Sequence, residues 1–174
     1  MPHMQDPYFR RAVVFICEHN KDGALGFIVN KPFETLELQD LFSDFFPDDD
    51  DILKLVPDVY FGGPVLVERG IVLHSAEYKI ENTIAIGNDF SLTSNKTIIK
   101  EIAEKKGPKH SKLMLGHAGW AQYQLEAEIE NGDWLLEHTN IDFIFNTEEK
   151  FMWDTATKSF GIDISEFSGF GGSA

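Results

Sequence analysis

Ala12-Val13-Val14-Phe15-Ile16-Cys17 and Ala24-Leu25-Gly26-Phe27-Ile28-Val29 are two apolar runs separated by Asn20-Lys21-Asp22-Gly23. Short runs of this composition, bounded by turn residues, read as buried strands, and the Asp-Gly step favours a reversal between them. A β-hairpin is therefore expected near the N-terminus, and the fold is built on a sheet. Further along, residues 59–61, 65–67, 71–73 and 84–86 read as strands, with Gly62-Gly63-Pro64 and Glu68-Arg69-Gly70 as turns. Residues 112–115 form an expected short buried strand, which runs through Gly116 and Gly119 into a helix. Residues 134–136 and 143–145 complete the expected strands.

Helical spacing is interleaved with these runs. Thr35 can cap a helix carrying Leu38, Leu41, Phe42 and Phe45, which Pro47 would end. Ser94 or Asn95 can cap a second, with Ile98, Ile99, Ile102 and Ala103 on one face and Gly107-Pro108 as its stop. Ala121, Leu125 and Ile129 place a third helix after Gly119. A fourth starts after Asn146 or Thr147, with Glu148 and Glu149 in its first turn and Met152, Ala156 and Phe160 as its stripe. Strands and helices mix without regular βαβ alternation, so the expected class is α+β, in one domain spanning residues 1–174. The tail, residues 168–174, has almost nothing to bury and is expected to be mobile.

Composition narrows the function classes. A chain of 174 residues with 43% hydrophobic and 25% charged residues is an ordinary globular composition, which excludes wholesale disorder. Twenty-nine acidic residues against fifteen basic give a net charge of −14, which repels nucleic acid and anionic membrane surface. The nearest thing to a basic patch is Lys105, Lys106, Lys109 and Lys112 with His110, blunted by Glu101 and Glu104. Neither a helix-turn-helix pattern nor zinc-finger cysteines are present. Direct DNA binding is therefore not expected. No apolar run reaches the roughly 20 residues that span a bilayer, and nothing resembles a signal peptide, so the expected location is cytoplasmic with no membrane partner. The one cysteine, Cys17, sits in an apolar strand and reads as a small hydrophobe.

Motifs that carry chemistry are missing. The chain has no phosphate-binding glycine loop, no dinucleotide fingerprint, no serine-hydrolase elbow and no zinc-hydrolase histidine pair. The aspartates at 48–51 fail as a calcium loop, since Leu53 and Val59 stand at the sixth and twelfth positions. No cofactor, metal or catalytic residue is expected. Two candidate ligand sites remain. His19, His74 and His117 each follow a strand, and their convergence with Glu18 would make an acid–base or metal site. Alternatively Gly116 to Gly119 could expose helix N–H groups to a small anion, with Trp120 and Gln124 as walls. The structural alternative gives Trp120 to the core and Gln124 to backbone groups.

Several stretches resemble the bacterial YqgE/AlgH family. They are Met4-Gln5-Asp6-Pro7-Tyr8-Phe9-Arg10-Arg11, Glu18-His19 through Gly23-Ala24-Leu25-Gly26 to Val29-Asn30-Lys31-Pro32, and Gly62-Gly63-Pro64-Val65 with Arg69-Gly70 and Leu73-His74. Gly116 to Trp120, Gln124 to Ile129 with Trp134-Leu135, and Gly161-Ile162-Asp163 complete the match. The resemblance implies an α+β fold with a small barrel-like, bifurcated sheet surrounded by helices. It carries no established activity; some members bear the label of transcriptional regulator, from a link to alginate production. His117 stands where the family often has tyrosine, and Tyr123 where it often has glycine. A short apolar family strand that usually precedes the segment matching Met1-Pro2 is absent, which implies an uncovered sheet edge and self-association through it, or a start codon lying upstream. The leading functional expectation is a non-enzymatic binding or accessory protein with a protein or small-molecule partner. An enzyme with a polar strand-end site and a regulator acting directly on DNA are the alternatives.

Overall fold

A computed structural model describes residues 6–33 and 59–161. The expected helix at 35–45, the aspartate run at 48–51 and the tail at 168–174 lie outside the described residues. The elements are β1 (Val14–Asn20), β2 (Gly23–Ile28), β3 (Val59–Phe61), β4 (Val65–Ser75), β5 (Thr83–Ile86), β6 (Phe90–Thr93), α1 (Thr97–Ala103), β7 (Ser111–Ala121), α2 (Gln124–Glu130), α3 (Ile141–Asn146) and α4 (Glu149–Lys158). The strands form one curled sheet in the order β1-β2-β7-β4-β6-β5, while β3 pairs with β7 in parallel. This is the α+β class expected from the strand and helix pattern, with the barrel-like sheet that the family resemblance implies.

β1 and β2 are the expected hairpin, antiparallel, with Asn20 opposite Gly23 and a bulge between Ile16 and Glu18. β7 is where the sheet forks. Its first half, Leu113 to Leu115, has β3 along one edge, whereas its second half, Ala118 to Ala121, has β2 along that edge. The chain passes between them at Gly62 and Gly63, and side chains there are excluded. A Cβ at Gly63 would lie 2.2 Å from the His117 carbonyl carbon, and one at Gly116 would lie 2.3 Å from Gly63 O. Gly116 also takes φ +70°, a left-handed conformation costly for other residues. Leu113 and Leu115 point to one side of the sheet before it, and Ala118 and Trp120 take that side after it, so the alternation slips by one residue here.

Strand alternation sorts the core into two faces. On one, Phe15, Phe27, Tyr60, Leu73 and Met114 pack against Ile144 of α3 and Met152 of α4. On the other, Val59, Val72, Leu113 and Leu115 meet Ile98 and Ile99 of α1, and Ala24, Ala118 and Trp120 meet Leu125 of α2. The N-terminal turn is tied to this frame by two of the family-like stretches. Asp6 Oδ1 accepts the Tyr8 and Phe9 N–H groups at 2.8 and 3.1 Å, and Lys31 Nζ donates to Pro7 O and Tyr8 O. Asn30 accepts the Val13 N–H and donates to Arg11 O, holding Arg11 at φ 53°.

Several sequence expectations need correction. Residues 68–70 are not a turn: β4 runs unbroken from Val65 to Ser75, accommodating them by a register shift between Val65 and Gly70 against β7. Residues 116–121 are strand rather than helix entry, because β4 pairs one edge of β7 as far as His117 and β2 pairs the other edge from Ala118 to Ala121. Residues 143–145 belong to a helix. Asn140 Oδ1 accepts the Phe143 N–H at 2.9 Å and caps α3, which a short apolar run could not reveal. Residues 134–136 form no strand, and β6 forms at Phe90–Thr93, where no strand is expected from the sequence. α1 stops before Gly107, at a left-handed Lys105 (φ 58°).

Candidate functional site

β1 is an edge strand, and a cavity of about 430 Å³ lies beside its open edge. Residues 12–16 and residues 134–140 both line it. Trp120, Leu125 and Trp134 close it on the α2 face of the sheet; Phe143, Trp153 and Phe160 close it on the α3–α4 face. The 134–140 segment is pinned at Trp134 and Glu137. Trp134 stacks edge-on against Phe9 and Trp120 at 5.6 and 5.9 Å, and Ser159 Oγ donates to Glu137 Oε2 at 2.8 Å. Leu135, Leu136 and Phe160 remain exposed at the rim. Glu137 and His138 are the ionisable side chains among the lining residues.

Trp120 and Gln124, the expected walls of an anion site, do converge on a carboxylate, and it belongs to the protein. Glu128 Oε2 accepts the Trp120 and Trp134 indole N–H groups at 2.8 Å each, and its Oε1 accepts from Gln124 Nε2 at 2.8 Å. Gln124 Oε1 in turn accepts the Ala121 N–H. The arrangement closes the end of β7 onto α2 and orients both indoles along the cavity wall. Gln124 and Glu128 are one helical turn apart, so half of this cluster was visible in the sequence. The Trp134 contribution depends on how the chain returns after α2.

The three histidines lie in separate places. His19 Nε2 meets Glu126 Oε1 at 2.6 Å, an exposed pair joining the end of β1 to α2. His117 sits on β7 opposite Val65, its pKa lowered by burial and by Arg69. His74 is fully buried between β6 and β7. Its Nδ1 lies 2.9 Å from Ser75 O, which can only accept, so the proton is on Nδ1. Thr93 Oγ1 then donates to Nε2 at 2.9 Å, Thr83 Oγ1 donates to Thr93, and the Ile80 N–H donates to Thr83. Every proton in this chain runs one way, toward a neutral imidazole. Burial lowers the His74 pKa, against the smaller opposing effects of Ser75 O and Glu77. Glu18 bonds Asn20 instead of a histidine. Among the described residues no group of three or more metal-ligating side chains comes together.

Two further polar groups are structural in their contacts. Lys112 is buried on β7 with its Nζ 2.8 Å from Glu149 Oε1 and 3.9 Å from the centre of the Tyr60 ring, and Tyr60 donates to the same carboxylate at 2.7 Å. Cys17 is pushed up to about 12 by burial, which leaves it a thiol at neutral pH.

Fold and site together define a curled-sheet α+β protein with an apolar groove at one sheet edge and dispersed polar groups. Its family follows from comparison. A family model described as AlgH-like (DUF179) matches residues 1–165. The UPF0301 protein YqgE of Salmonella paratyphi B is 36% identical over 177 residues, covering 100% of this chain and 95% of the relative. A UPF0301 protein of Jannaschia sp. is 41% identical over 165 residues, covering 94% and 85%. The solution structure of AlgH from Pseudomonas aeruginosa superposes with a TM-score of 0.77 at 32% identity, covering 100% of this chain and 92% of that one. The chain belongs to the AlgH-like family. These names carry no reaction, substrate or ligand, and the family has no defined biochemical activity. No helix among the described residues is long and apolar enough to cross a membrane.

Proposed function

We propose that the protein is a non-enzymatic, cytoplasmic binding or accessory module, and that its ligand or partner occupies the apolar cavity beside β1. The observation that carries this reading is the composition of that cavity: three tryptophans, leucines and phenylalanines, with Glu137 and His138 as its ionisable side chains. Concave apolar sites with few polar groups are the usual form of a binding pocket. A catalytic pocket would add convergent titratable groups, and none of His19, His74 and His117 lines this cavity. Direct action on DNA is disfavoured by the fate of the lysine patch. Lys112 turns inward to Glu149, and Lys106 pairs with Glu104 at 2.7 Å.

The test is titration with Nile red, a neutral apolar fluorophore, read by its emission and by quenching of Trp120, Trp134 and Trp153. Saturable one-to-one binding is expected. Ala156→Trp, which fills the groove from α4, should abolish it while leaving the amide spectrum of the rest of the sheet unchanged. Absence of any saturable binding by the wild-type protein would remove the basis for a site here.

A further inference from the structure

The β1–β2 ladder fixes where the backbone groups of the edge strand point. Val29 donates its N–H to Val13 O at 2.9 Å, and Phe15 stands opposite Phe27. Hydrogen-bonded pairs alternate along an antiparallel ladder, so Val14 and Ile16 turn their N–H and C=O groups away from β2. Ile28, opposite Val14, shows the same alternation from the other side: its N–H leaves β1 and reaches Gly62 O at 2.8 Å. The outward groups of Val14 and Ile16 therefore face the cavity that both residues line, with no backbone partner among the described residues.

We propose that the groove takes one extended segment of a partner protein, which joins the sheet as a strand beside β1. The inference rests on the binding reading above and names the occupant. Unpaired edge groups are what a peptide backbone satisfies and what a lipid or other small apolar molecule leaves unpaired. The sheet edge of a second copy would arrive with its own flanking walls, and residues 134–140 already line the space beside β1. The groove also specifies the segment. Successive side chains of an added strand point alternately to Trp120, Leu125 and Trp134 on one face and to Phe143 and Ile144 on the other. Both faces are apolar, so the segment is a continuous apolar run of about 4–6 residues rather than an alternating one. Glu137 at the rim and the net charge of −14 favour lysine or arginine on its flanks.

The probe is a nine-residue peptide with five central valines and leucines between pairs of lysines, alongside the same peptide N-methylated at alternate central residues. The expected result is saturable binding that slows amide exchange at Val14 and Ile16, with the N-methylated form weaker by about tenfold or more, the effect of about two lost hydrogen bonds. Val14→Pro removes an outward N–H while keeping the ladder to β2, since proline is tolerated on an edge strand. It should lose the peptide. If Nile red binds and the peptide does not, or if both peptides bind alike, strand addition is overturned while the binding site stands. If neither binds, both readings fall. A concentration-dependent dimer in sedimentation that Val14→Pro dissolves would give the edge to a second copy and also overturn the inference.

Discussion

Lys112 Nζ lies 2.8 Å from the Glu149 carboxylate, joining the middle strand of the sheet to the first turn of α4. Burial alone would raise the Glu149 carboxyl, but the Lys112 ammonium and the Tyr60 hydroxyl leave it below the usual glutamate value. Removing one partner of such a pair strands the other. Lys112→Met should cost about 3 kcal/mol in denaturant unfolding, the low end for a broken buried pair because Glu149 is partly open to solvent. Lys112→Met with Glu149→Leu should recover most of it, and an additive loss in the double variant would refute the pairing. Because the folded carboxyl is depressed, the pair's stabilisation is present above the unfolded glutamate value of 4.5 and lost as pH falls through the folded one.

His74 predicts a second pH dependence. Its folded pKa lies below the ordinary 6.5, so from about pH 6.5 downward the unfolded chain takes up a proton that the folded chain refuses. Stability should be full above that value and decline as pH drops through the folded pKa. His74→Gln should flatten this part of the unfolding profile. Thr93→Val, which deprives Nε2 of its donor, should cost about 1–3 kcal/mol at pH 7.5. A ¹⁵N spectrum showing the proton on Nε2 would contradict the hydrogen-bond chain.

Glu128 holds two indoles with one oxygen, so its loss should be read directly in tryptophan emission. Glu128→Gln brings an amide N–H₂ among three donors and should cost about 2 kcal/mol, with changed emission from Trp120 and Trp134. Unchanged emission and stability would mean the carboxylate does not organise that cavity wall.

The hairpin was legible because its evidence is local: two apolar runs and an Asp-Gly turn within 18 residues. The extension of β7 was not, since residues 116–121 are strand only through partners in β2 and β4, about 50–100 residues away in sequence. Residues 143–145 carried too short an apolar run to give a period, and a single Asn140 cap decided the helix. The same distinction governs the site. Trp120 and Gln124 stood out beside two glycines, but the carboxylate they hold and the opposing Trp134 are set by the path of the chain after α2. The cavity unites residues 12–16, 134–140 and 153–160, and no local pattern encodes that meeting.

The fork of the sheet gives a sharp contrast among glycines. Gly63→Ala and Gly116→Ala would press a methyl group into backbone at 2.2 and 2.3 Å, and both should fail to give soluble folded protein. Gly87 and Gly132 also have positive φ, 61° and 77°, but a Cβ there meets nothing within 4 Å. Alanine at either should cost only about 1 kcal/mol, the strain of the left-handed conformation. Comparable solubility across all four variants would show that the crossing is less crowded than its distances require.

The chain should not bind duplex DNA. Binding at physiological salt depends on lysines and arginines replacing counterions at several phosphates, and each such contact steepens the salt dependence. Of the four lysines between 105 and 112, Lys112 is buried against Glu149 and Lys106 is paired with Glu104. Glu77 accepts the Lys109 backbone N–H at 2.7 Å, which places a further carboxylate beside that lysine. A surface left with so few uncompensated cations, on a chain of net charge −14, supplies too little attraction to hold a duplex. A gel-shift titration in about 150 mM salt should show no saturable complex, and Lys105→Glu with Lys109→Glu should change nothing. Sub-micromolar binding that weakens steeply with salt and disappears in that double variant would refute this, and would move the functional surface from the β1 groove to the end of α1.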